Sequence, residues 1–114
     1  MRERIRIGVL GAGHMGRLHA GVLRGCEEAE LVAIADAAPE LAQAAAGQFG
    51  CRAAGSLDEF RQLGIAAVYL CTPNTTHADL AVAALEAGLH VFCEKPLATT
   101  LADAERVRRV AAAG

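Results

Sequence analysis

Apolar residues in this chain change period at regular intervals. Ile5, Ile7 and Val9 alternate as in a strand; then, past a glycine cluster, Met15, Leu18 and Val22 recur at helical spacing. Leu31 to Asp36 reads as a second strand. Pro39 suits a first helical position and Gly50 the position just beyond a helix end, so an Ala-rich helix is predicted between them. Cys51 to Ala54 makes a short third strand. Ser56 and Glu59 form an S-x-x-E capping box for a brief helix that Gly64 can end. Ala66 to Cys71 is apolar throughout, which predicts a strand buried on both faces. Ala78, Ala81, Val82 and Leu85 mark the apolar stripe of a helix ending near Gly88. His90 to Cys93 gives a fifth strand, and Leu101, Ala104, Val107 and Ala111 line a last helix. Five strand-helix units with right-handed crossovers predict a doubly wound parallel α/β sheet, order 3-2-1-4-5, with helices on both faces.

The switch from strand to helix at residues 11–16 carries the first chemistry. Gly11, Gly13 and Gly16 fit G-x-G-x-x-G: the first for a tight turn, the second for approach of a pyrophosphate to bare backbone, the third for close helix-strand packing. The pyrophosphate would meet the positive end of the helix. Asp36, 20 residues beyond Gly16, ends the second strand, where a carboxylate accepts hydrogen bonds from ribose hydroxyls. The combination is the dinucleotide-binding (Rossmann) fingerprint. Ala37 and Ala38 supply no cation for a 2′-phosphate, so NAD is expected in preference to NADP. A glycine turn with a strand-two acid also suits S-adenosylmethionine, although the intact third glycine argues against it.

Ligands of such sheets lie at the carboxyl ends of the strands, beside the point where strand order reverses. Thr72, Pro73, Asn74 and His77 follow strand four at that edge, and Glu94, Lys95 and Pro96 follow strand five. His14 and Met15, inside the glycine turn, join them as cofactor-side candidates, although Met15 also fits the helix core. His19 reads as a helix-face histidine. His90 starts strand five, roughly 16 Å from Lys95 at about 3.3 Å per residue, and reads as structural. Asn74 and Thr76 also suit helix capping, and His77 equally a first-turn position.

The glycine fingerprint, G-x-G-x-x-G-x-x-H through His19, T-P-N-x-x-H over residues 72–77 and E-K-P over residues 94–96 occur in this order along the chain. Together they resemble the N-terminal domain of the glucose-fructose oxidoreductase and inositol dehydrogenase family, over essentially the whole sequence. The resemblance implies a nicotinamide-dependent oxidoreductase of sugars, polyols and related hydroxy compounds. It further implies that the Thr72–His77 loop lies along the cofactor, that Lys95 reaches the nicotinamide and the reacting hydroxyl as the catalytic group, and that Glu94 anchors it. A small-molecule substrate would bind through a further domain that usually supplies a catalytic His. With 114 residues alone, cofactor binding with little turnover is expected. A free-standing, non-catalytic dinucleotide-binding module is the alternative.

Composition narrows the partners. Hydrophobic residues are 54% and aromatics 4%, so the core is aliphatic, as in a helix-covered parallel sheet. A net charge of -2, one Tyr and no Trp argue against nucleic acid. Arg106, Arg108 and Arg109 are expected as solvated residues of a helix's last turns. Cys26, Cys51, Cys71 and Cys93 show no metal-ligand or redox-pair spacing, so reduced thiols and no metal are expected. No segment approaches the roughly 20 apolar residues that span a membrane, and a cytoplasmic location is the default. The oligomeric state stays open, including a homo-oligomer.

Overall fold

The computed structural model describes residues 4–72, 77–93 and 101–113. The elements are β1 (Ile5–Leu10), α1 (His14–Arg24), β2 (Ala29–Ala35), α2 (Pro39–Phe49), β3 (Arg52–Ala54), α3 (Leu57–Gln62), β4 (Ala67–Leu70), α4 (His77–Glu86), β5 (His90–Cys93) and α5 (Leu101–Ala113). All four strand pairings are parallel, and the order is β3-β2-β1-β4-β5. The doubly wound Rossmann architecture expected from the alternation is therefore observed.

The sheet separates two cores. On one face Phe60 of α3, Ala78, Ala81 and Ala84 of α4 and Val107 of α5 cover Leu10, Val68 and Leu70. On the other, Ala20 and Leu23 of α1 and Ala45 and Ala46 of α2 cover Ile7, Val9 and Ile34. Alanine dominates the helical side of both cores. Small side chains bring helix axes close to the strands, which explains how a chain so poor in aromatics closes its interior.

Helix ends follow the local chemistry. Pro39 opens α2, and Gly50 closes it with φ +68°. Ser56 caps α3 by accepting from the Glu59 amide at 3.3 Å, but Glu59 Oε1 accepts from the Gly55 N–H rather than that of Ser56, so the box is shifted by one residue. Gly64 ends that turn at φ +74°.

Three expectations need correction. Met15, Leu18 and Val22 do not face the core: they are 40%, 52% and 66% exposed, and α1 buries Gly16, Ala20 and Leu23 instead. The interior selects close approach there, and the bulkier stripe is left outside. Nor is β4 buried on both faces. Val68 and Leu70 are buried, while Ala67 and Tyr69, on the α1 side, are only half-buried. His19 of α1 leans over that side, its ring 5.5 Å from Tyr69 and 6.0 Å from Phe92, and Tyr69 stacks on Phe92 at 4.6 Å. Finally, the arginine cluster lies mid-helix in α5: Arg106 reaches Asp79 of α4, and Arg108 pairs with Glu105. Among the described residues, no helix is long and apolar enough to cross a membrane.

Candidate cofactor site

At the carboxyl edge of the sheet, β1 runs into the glycine turn. Gly11 N donates to Ala35 O at 2.7 Å and Cys71 N donates to Leu10 O at 2.8 Å, so the turn is wedged between the ends of β2 and β4. Gly11 has φ +113°, and a methyl group there would stand 2.5 Å from Cys71 O. Only glycine fits. Gly13 is different: its φ is ordinary, -77°, and among the described residues beyond its chain neighbours nothing lies within 4 Å of where its Cβ would be. Sterically, the described residues leave that position open.

Gly13 is the N-cap of α1. It offers no side-chain cap, and the first turn holds no acidic residue. The first helical amides therefore lack a helical acceptor, and α1 itself supplies no negative charge to its positive end. By contrast, α3 is capped by Ser56 and carries Asp58 and Glu59 in its first turn. A diphosphate suits the first terminus.

The end of β2 supplies the opposite charge. Asp36 Oδ2 accepts from Ala12 N, and Oδ1 from Ala38 N, both at 2.8 Å. The carboxylate thus stands fixed beside the turn. Between them opens a cleft of about 1110 Å³, to which Gly11, Gly13, His14 and Met15 contribute from the turn, Asp36 and Ala37 from just past β2, and Cys71 and Thr72 from just past β4. Leu41, Leu57 and Leu80, from α2, α3 and α4, add apolar wall. A pocket of this kind, mostly apolar with a few placed polar groups, suits a large organic ligand with a charged centre.

Six of the residues expected at the site, Gly11, Gly13, His14, Met15, Asp36 and Thr72, line this one cleft. Gly16 does not line it but is buried beneath the turn. His77 opens α4. Pro73, Asn74, Glu94 and Lys95 lie outside the described residues. Met15 belongs to the cleft mouth and not to the core. Asp58 also reaches the cleft from the first turn of α3. Sequence reasoning missed Asp58 and the leucine wall, because Leu41, 47% exposed, occupies the solvent side of α2, where periodicity gives an apolar residue no role. Their common signal is position: Leu57 and Leu41 each fall within three residues of a helix start at the carboxyl edge of the sheet. Among the described residues, no group of three or more His, Cys, Asp or Glu side chains could hold a metal ion.

The burial of Cys51, behind the β3 entry, pushes its thiol pKa above the ordinary 9.0, with a backbone hydrogen bond acting in the opposite direction. That thiol is structural. Cys26 is exposed at the same strand-entry edge of the sheet, between α1 and β2.

Residues 5–113 match the family model described as "Oxidoreductase family, NAD-binding Rossmann fold". An inositol 2-dehydrogenase of Rhizobium meliloti (strain 1021) is 47% identical over 105 residues, 91% of this chain and 31% of the relative. Inositol 2-dehydrogenase 1 of Saccharopolyspora erythraea is 40% identical over 107 residues, 90% of this chain and 32% of the relative. Among solved structures, GenD2 from gentamicin A biosynthesis, in complex with NAD, superposes with a TM-score of 0.92 at 31% identity, covering 97% of this chain and 32% of that one. The chain spans about a third of the length of the relatives it matches.

Proposed function

The chain belongs to the oxidoreductase family with an NAD-binding Rossmann fold, and from that premise we propose that it is the cofactor-holding domain of a dehydrogenase acting on a hydroxyl-bearing carbon of a sugar, polyol or related compound. The observation that carries this reading is the pairing of an uncapped α1 terminus with the Asp36 carboxylate across one cleft. The first takes the diphosphate and the second the adenosine ribose hydroxyls. Leu41, Leu57 and Ala37 offer an apolar slot for the base.

When bound, the nicotinamide supplies the hydride acceptor or donor. The remaining work belongs to side chains. Lys95, with Glu94 as its anchor, is proposed to hold the proton of the reacting hydroxyl, because carbinol oxidation requires that proton to leave. Thr72, Pro73, Asn74 and His77 are proposed to lie along the cofactor. Asp36 and the uncharged Ala37-Ala38 pair disfavour a 2′-phosphate, which supports NAD over NADP.

The substrate pocket is proposed to be completed by a further domain, as the roughly two-thirds of the relatives' length that this chain does not cover supports. Inositol and aminoglycoside-type sugars are the substrate classes to try first, since two similar proteins are inositol 2-dehydrogenases and a third acts in gentamicin A biosynthesis. Binding is tested by melting temperature: saturating NAD, at about 100 times its Kd, should add roughly 2.7 kcal/mol of stability, with NADP adding much less at the same concentration. No shift with either refutes the reading. In an enzyme carrying the complete substrate site, Lys95→Ala should abolish turnover and keep NAD affinity; undiminished turnover removes Lys95 from the chemistry.

A further inference from the structure

Asp36 has more to do than read a ribose. Each of its two oxygens is engaged with a backbone amide before any ligand arrives: Oδ2 with Ala12 N and Oδ1 with Ala38 N, at 2.8 Å each. Ala12 is the residue between the first two glycines of the turn and is only 2% exposed. Its N–H points back to the end of β2, and among the described residues the Asp36 carboxylate is the acceptor it meets. The neighbouring amide, Gly11 N, is tied to the same strand through Ala35 O at 2.7 Å. Two consecutive amides of the turn are thus anchored on two consecutive residues, Ala35 at the end of β2 and Asp36 just past it. The second of these anchors depends on a side chain.

A buried N–H deprived of its acceptor is costly, so loss of the carboxylate would favour a turn that rotates Ala12 towards water. Such a rotation would move Gly13 and the helix terminus that follows it. We infer that Asp36 is a positioning residue of the phosphate-binding turn, holding the diphosphate subsite in shape independently of any contact with the ribose. The inference rests on the dinucleotide reading of the cleft. It differs from a pure ribose role in a measurable way, because a carboxylate near a diphosphate repels it. If Asp36 only reads hydroxyls, a ligand without them should bind equally well or more tightly once the charge is gone. If Asp36 shapes the turn, that ligand should bind more weakly.

The test uses the 114-residue chain with Asp36, Asp36→Ala and Asp36→Asn, and two probes, NAD and 2′,3′-dideoxyadenosine 5′-diphosphate, which keeps the phosphates and lacks the diol. Asp36→Ala is expected to weaken the dideoxy probe roughly tenfold, and NAD by more. Asp36→Asn should fall between, since its carbonyl oxygen can serve one of the two amides while its NH₂ opposes the other. It also provides the measurement if the alanine variant fails to fold. Without ligand, hydrogen exchange at Ala12 N should accelerate roughly tenfold or more in the variants while Val9 and Ile34 keep their rates. Unchanged or tighter binding of the dideoxy probe, or unchanged exchange at Ala12, overturns the inference. Failure of both probes to bind the unsubstituted chain would instead overturn the cofactor reading, and the exchange rates would still decide whether Asp36 ties the turn.

Discussion

A methyl group on Gly16 would stand 1.7 Å from the carbonyl oxygen of Gly11 and 2.7 Å from its carbonyl carbon. Helix α1 therefore lies directly on the turn that precedes it, with only a hydrogen between backbone and backbone. Neither partner is a flexible side chain that could yield. Gly16→Ala must push α1 off the turn, and we expect a loss of about 3 kcal/mol or more, seen as a melting temperature lowered by roughly 10–20 °C. A variant that melts within a degree or two of the parent would show that the contact relaxes cheaply.

Gly13 separates binding from folding. Its backbone angles are open to any residue, and among the described residues beyond its chain neighbours a Cβ there meets no atom within 4 Å. Gly13→Ala should keep stability to within about 1 kcal/mol, the cost of a poorer N-cap, yet lower NAD affinity roughly tenfold or more, because the added methyl occupies the space the diphosphate needs. Calorimetric titration beside a denaturant curve distinguishes the two effects. Equal losses in both would mean that the open space belongs to no ligand.

These glycines also show what a sequence can and cannot disclose. The requirement for glycine at 11 and 16 follows from spacing alone, since a strand-to-helix reversal leaves no room for Cβ, and Asp36 follows from strand length. Strand order came from alternation and handedness. The facing of α1 did not, because periodicity weighs Met15, Leu18 and Val22 above Gly16 and Ala20, whereas the sheet takes the small residues so that the helix can approach. The half-covered Tyr69 is a second case: an apolar run says that a strand is central, not how far a helix reaches over it. The amide partners of Asp36 and the leucine wall of the cleft depend on residues brought together from separate units. No single segment encodes them.

Phe60 tests the opposite core. It is fully buried in a six-residue helix, and its ring lies against Gly8, where a methyl group would come within 2.6 Å of Cε2. The bare backbone of Gly8 is the floor of the aromatic slot, beside the point where the register of β1 against β2 shifts. Phe60→Ala should cost about 3–5 kcal/mol by urea denaturation, and Phe60→Leu clearly less, as the slot partly refills. Since Phe60 does not line the cofactor cleft, NAD affinity of the folded fraction should be unchanged. A change in affinity comparable to the loss of stability would mean that α3 and the cleft move together.

The two thiols at Cys26 and Cys51 should respond to alkylation in order of access, with burial also holding Cys51 in its less reactive protonated form. Cys26 is exposed, whereas burial raises the pKa of Cys51 above 9.0. Thiolate is the reacting form, so near pH 7.5 peptide mapping after brief treatment with iodoacetamide should find label on Cys26 first, and on Cys51 roughly tenfold more slowly or less. The raised pKa also has a direction in stability. An unfolded thiol ionises more readily than the folded one, so this contribution is fully present below the ordinary value of 9.0 and is lost as pH rises through the higher folded value. Denaturation midpoints should accordingly fall above about pH 9, and Cys51→Ala should make that alkaline decline shallower. An equally steep decline in the variant would assign it to other groups.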